Sequence, residues 1–288
     1  MNLPGIEELE VDHDPAIWQH PNTGTTHTEP NTNTTSSSDE VDISYRALGY
    51  LHTLRLKHLP PLPGTIRRLF SSFQMLHTLS ICGSVISSDS EQLSTPAPDL
   101  NDLLSTRSLT TSLQYLSIDL DIPTLSKVQE RNNIARAVFG PGGRLPQSCL
   151  DGLRNLKGLL MPAFALLGPD GDDNEEIDKI PRLPPRLERL EIVQDPHPPT
   201  CSASCRDSKL MSFMRALARE CERWYPAVKH VVVWVRDDTN TGWTGSEVDE
   251  AVRMFGRTGV VLEFEGYEAV ADGRIGGWRV LPGEVEGE

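Results

Sequence analysis

The chain has 288 residues, of which 38% are hydrophobic, enough apolar content for one large core or two modest ones. Its formal net charge of −14 argues against a protein that binds nucleic acid through a basic surface. Five cysteines, an odd number at low density, argue against a secreted disulfide scaffold.

The first residues, Met1 to Gly5 followed by acids, lack the basic start and apolar centre of a signal peptide, and no run of about 18 apolar residues suits a bilayer. The expected location is the cytoplasm or nucleus, where the sequon at Asn33-Thr34-Thr35 would stay unmodified. Ile6, Leu9 and Val11 form a loose strand signal, so residues 1–11 read as a partial N-terminal repeat. Residues 12–44 are rich in Asn, Thr, Ser, Pro and His and read as a disordered polar insertion.

From residue 45 to 265 a motif recurs, Leu-x-x-Leu-x-aliphatic. It stands at Leu51/Leu54/Leu56, Leu76/Leu79/Ile81, Leu113/Leu116/Ile118, Leu156/Leu159/Met161 and Leu187/Leu190/Ile192. Chance would give roughly one such window, against five. Val228/Val231/Val233 is a looser copy, and Leu262-Glu263-Phe264 suits one more strand. A strand alternates its faces, so positions four and six point to one side while position one packs beneath them. No such unit can bury its apolar face alone, but a stack can. The expected fold class is therefore α/β: an irregular leucine-rich-repeat-like solenoid with one parallel sheet and helices or loops on the other side.

Helices are expected between strands. Ile66, Leu69, Phe70 and Phe73 recur at helical spacing, and Thr124 to Phe139 suits a further helix. Leu210, Phe213, Met214, Leu217 and Cys221 form a stripe from Ser208 to Trp224, with Asp207 or Ser208 as cap and Pro226 as terminator. Ser246 caps a last helix with Val248, Val252 and Phe255 inward, closed by Gly256 and Gly259. Motif starts at 6, 51, 76, 113, 156, 187, 228 and 259 leave intervals of 45, 25, 37, 43, 31, 41 and 31 residues, longer than regular leucine-rich repeats except once. Residues 266–288 form an acidic, Gly-rich tail.

Two phrases, Leu183-Pro184-Pro185-Arg186-Leu187-Glu188-Arg189-Leu190 and Leu156-Lys157-Gly158-Leu159-Leu160-Met161-Pro162, resemble the irregular leucine-rich repeats of filamentous-fungal F-box proteins. That resemblance implies repeats that recognise a substrate protein, and an F-box that docks a Skp-type adaptor of a cullin ubiquitin ligase. The family's asparagine ladder is replaced by Leu59, Ser84, Asp121, Phe164 and Asp195. Leu3-Pro4 is like an F-box opening, but no apolar helical stripe follows, so the expectation is an incomplete chain or one that has lost its F-box.

Motifs for chemistry are sparse. His197, Cys201, Cys205 and Cys221 have zinc-like residue types, but Cys221 lies on a core stripe and His197 between prolines, so no metal is expected. Asp170-x-Asp172-x-Asn174 opens like a calcium loop, yet Glu175 and Pro181 occupy the places of its Gly and Glu. Gly140-Pro141-Gly142-Gly143 lacks the Gly-Lys-Ser/Thr of a phosphate loop, no Gly-x-Ser-x-Gly elbow exists, and His13, His20 and His27 read as solvated. No cofactor, nucleic acid or membrane partner is expected.

The candidate site is instead the outward sheet face, built from motif positions three and five. These are Thr53 and Arg55, Thr78 and Ser80, Tyr115 and Ser117, Gly158 and Leu160, Arg189 and Glu191, and then His230, Val232 and Trp234. Tyr, Trp and Arg are the usual anchors of protein interfaces. The reading is a non-enzymatic protein-binding module. The alternatives are a generic repeat scaffold without a ubiquitin link and an enzyme whose site carries no recognisable motif.

Overall fold

The computed structural model describes residues 8–12, 50–57, 73–84, 104–121, 136, 139, 143–145, 147–168, 182–194, 208–236 and 245–267. Within them runs one all-parallel sheet of eight strands, ordered as in the sequence. The strands are β1 Glu8–Asp12, β2 Thr53–Lys57, β3 Thr78–Ser84, β4 Tyr115–Asp121, β5 Gly158–Pro162, β6 Arg189–Val193, β7 His230–Arg236 and β8 Val261–Tyr267. The helices among these residues include α1 Arg107–Ser112, α2 Gln147–Gly152, α3 Ala163–Leu167, α4 Ser208–Trp224 and α5 Gly245–Arg257.

The leucine motif explains the register. Leu54, Leu79, Leu116, Leu159, Leu190, Val231 and Leu262 are successive Cα partners, and the first six are fully buried. Leu56, Ile81, Ile118, Met161, Ile192 and Val233 form a second buried row. Beneath both lie the position-one residues Leu51, Leu76, Leu113, Leu156, Leu187 and Val228. Each such leucine contributes about 1.5–3 kcal/mol by leaving water. A one-residue slip would turn a whole row to the other face, so burial specifies the register strongly.

At the starts of β3 to β7, one backbone carbonyl of the preceding strand's entry takes two amide hydrogens from the next strand. His52 O accepts from the N–H groups of His77 and Thr78 at 2.8 and 2.9 Å, and His77 O accepts from Gln114 and Tyr115 at 2.8 and 2.9 Å. Gln114 O, Lys157 O and Glu188 O repeat the arrangement toward β5, β6 and β7. Side chains add lateral links. Ser112 Oγ donates to Leu76 O at 2.8 Å, and Asn155 Nδ2 donates to Thr111 O at 2.7 Å while its Oδ1 accepts from Arg186. The amide of Gln147 both accepts from Arg182 N and donates to Arg182 O, at 2.7 and 2.6 Å.

The helices close the leucine side of the sheet. The expected stripe of α4 is buried from Leu210 to Cys221, joined by Met211, Ala216 and Ala218. It ends at Trp224, before Pro226. Helix α4 packs on α5, α5 on β8, and α3 on both β5 and α4. Phe164 of α3 meets Phe139 edge to face at 5.6 Å in the same core. After α5 the backbone turns through Gly259 at φ 76°, the left-handed conformation that closes helices at low cost for glycine.

Several expectations need correction. Val252 of α5 is 41% exposed and not inward; Ala251 takes its place beside Phe255 on the buried stripe. Strand β1 includes Asp12 and β8 runs on to Tyr267, while residues 13–44 and 268–288 of the expected insertion and tail lie outside the described residues. Phe73 is buried but not helical, and Ile66, Leu69 and Phe70 lie outside the described residues. Of the segment 124–139 only Arg136 and Phe139 are described, both helical. Among the described residues, no helix is long and apolar enough to cross a membrane.

Candidate functional site

The face opposite the leucines carries the residues singled out from the sequence, and the register sorts them into rows. The first row is Thr53, Thr78, Tyr115, Gly158, Arg189, His230 and Val261. The second is Arg55, Ser80, Ser117, Leu160, Glu191, Val232 and Glu263. Thr53, Arg55, Thr78, Tyr115, Ser117, Leu160, Arg189, His230 and Trp234 are partly exposed. Ser80, Glu191 and Val232 are buried, at 7%, 4% and 0% exposure, so they do not form an open surface. Alternation tells which side a residue takes, but not how far its neighbours cover it.

Glu191 is buried because its charge is used inside the protein. Arg189 Nε donates to Glu191 Oε1 at 2.7 Å, two residues away on the same face of β6. Trp234 Nε1 donates to Glu191 Oε2 at 2.7 Å from β7. Because Glu191 pairs in register with Val232, the indole of Trp234 reaches back to the level of that valine. Each carboxylate oxygen thus has one donor, which a buried charge requires. Trp234 opens a further row, with Val193 and Glu265 as its register partners. Val193 and Glu265 of that row, with Val261 and Glu263 on β8, lie outside the sequence pattern, which ends at position five except on β7. The alternation simply continues for two more residues.

Tyr115 and Gly158 are also linked. A Cβ built on Gly158 would lie 2.7 Å from Tyr115 Cδ1 and 3.3 Å from Cε1, so the phenol ring occupies the space above the glycine. Beyond this face, His52 and His77 meet edge on at 5.1 Å between centroids, where their strands begin. Partial burial, with a smaller contribution from the His52 charge, lowers the pKa of His77 below its usual 6.5.

Of the zinc-like group, His197, Cys201 and Cys205 lie outside the described residues. Cys221 is 1% exposed in the core, and burial pushes its thiol up from 9.0 to about 11, which disfavours the metal-binding thiolate. Among the described residues, no three His, Cys, Asp or Glu side chains converge where a metal could be held. The calcium-like loop at 170–174 lies outside the described residues. No known family model matches the chain, and neither a curated protein nor a solved structure does.

Proposed function

We propose that this chain is an irregular leucine-rich-repeat-like solenoid that binds another protein through the outward face of its sheet and catalyses no reaction. The observation that carries the reading is the cluster of Arg189, Glu191 and Trp234. Arginine and tryptophan dominate interface energetics when their rotamers are fixed beforehand, because less side-chain entropy is then lost on binding. Here a buried carboxylate holds both side chains by 2.7 Å hydrogen bonds and leaves them partly open to solvent. The solenoid part of the reading rests on sequential parallel strands whose leucines stack in register.

The likeness of its leucine phrases to fungal F-box proteins gives this module a role, recognition of a substrate for a ubiquitin ligase. In that role its second partner would be a Skp-type adaptor, reached through an F-box. The experiment has two arms. Arg55→Ala, Tyr115→Ala, Arg189→Ala and Trp234→Ala chains are compared with the parent for the proteins that co-purify, with circular dichroism as the folding control. Loss of a shared set of partners is expected. An unchanged set from folded variants would remove the sheet face as the site. A purified Skp-type adaptor tested against the same chains reports on the ubiquitin link separately.

A further inference from the structure

We infer that the row Tyr115, Gly158, Arg189 and His230 is a carboxylate-binding strip, which takes an acidic side chain from the partner polypeptide. This deepens the sheet-face reading and rests on it. The four residues are consecutive register partners on β4, β5, β6 and β7, and so lie side by side at the strand spacing of about 4.8 Å. Gly158 contributes no side chain, and the Tyr115 ring fills the space above it, over the strand that lies between β4 and the β6 strand of Arg189.

Among the described residues, several donors along this row are unused. Arg189 commits Nε to Glu191, and among the described residues its two terminal nitrogens make no hydrogen bond or ion pair. The Tyr115 hydroxyl likewise has no partner among the described residues. His230 flanks Arg189 as its register partner on β7 and is partly exposed. Glu191, with Trp234 on its second oxygen, fixes the guanidinium from behind and is a positioning residue.

The chemistry favours a carboxylate over a phosphate. The two terminal nitrogens form a planar fork that matches a carboxylate. A dianion would be opposed by the Glu191 charge beneath the fork and by the chain's net charge of −14. The polypeptide around that acid must suit the β8 side of the face, where Val261 is 45% exposed and Glu263 is exposed. Apolar and basic neighbours fit there, and further acids do not.

The test pans a displayed random-peptide library against the full chain and measures the recovered peptides by calorimetry. Expected are peptides sharing one Asp or Glu. Arg189→Lys, which keeps the charge and loses the fork, should weaken them at least about tenfold. Replacing that acid by its amide should cost the same, and the two changes together little more, as a double-mutant cycle requires of direct partners. Tyr115→Phe should weaken binding about two- to tenfold while the thermal midpoint holds, and Gly158→Ala, which displaces the ring, should weaken it by a similar factor.

Peptides without a shared acid, or with equal affinity for Arg189→Lys, would overturn the carboxylate strip. If Tyr115→Ala and Trp234→Ala still abolish their binding, the sheet-face reading survives. Displacement by inorganic phosphate but not by acetate would also overturn the strip, in favour of a phosphorylated residue. Recovery of no peptide, or of peptides indifferent to Tyr115→Ala and Trp234→Ala, would sink the sheet-face reading and the strip with it.

Discussion

Trp234 reaches across the β6–β7 pair to donate its indole N–H to Glu191 at 2.7 Å, and that bond holds one oxygen of a carboxylate that is only 4% exposed. Removing the donor should therefore cost more than its area suggests. Trp234→Phe keeps most of the ring and should destabilise the chain by about 1.5–3 kcal/mol, the range for hydrogen bonds to charged groups. Glu191→Leu removes the buried charge together with its need for partners and should cost less than Trp234→Phe. Urea denaturation of the three chains would check the order, and equal losses would contradict it.

The two faces of α5 make a second contrast. Phe255 is fully buried, and Phe255→Ala should cost about 3–5 kcal/mol, whereas Val252→Ala at a 41% exposed position should change stability by no more than about 0.5 kcal/mol. In the sheet, Leu159→Ala should cost about 2–5 kcal/mol, because the core is continuous on the leucine side of β5. Chemical denaturation midpoints would resolve all three.

His77 supplies an acid-side signature. Its folded-state pKa lies below the 6.5 of an unfolded histidine, first through burial and then through His52. The unfolded chain therefore takes up the proton first, and this contribution to stability is present above pH 6.5 and is lost as pH falls through the folded value. His77→Gln should flatten that part of the stability profile. His52→Gln should raise the His77 pKa, as read by NMR titration of its ring protons.

Cys221 acts in the alkaline range. Its thiol is raised from 9.0 to about 11, so above pH 9 the unfolded chain loses the proton while the folded chain keeps it. Stability should decline by about 3 kcal/mol between those values, from a shift of about two units. Cys221→Ala should lack that part of the decline. In the parent chain at neutral pH, Cys221 should react with iodoacetamide only after denaturant is added.

Much of the strand layout is legible in the sequence because each leucine motif states locally where it begins and which way it faces. Helix α4 is legible for the same reason: five apolar residues at helical spacing all prove buried. Val252 misled because a helical stripe has a width, and the smaller Ala251 takes the inner place. The link from Glu191 to Trp234 spans 43 residues and depends on a register that no single stretch of chain contains. Nor could spacing reveal that Gly158 matters through the tyrosine lying over it.

The doubly used carbonyls where the strands begin have a bearing on how such a chain can change. From β3 to β7, each new strand is indexed by one oxygen at the entry of the strand before it, so spacings of 25 and 43 residues end in the same alignment. A segment lengthened or shortened between two strands leaves every later leucine on its proper face. The joints are thus places where foreign sequence can be spliced in without rebuilding the core.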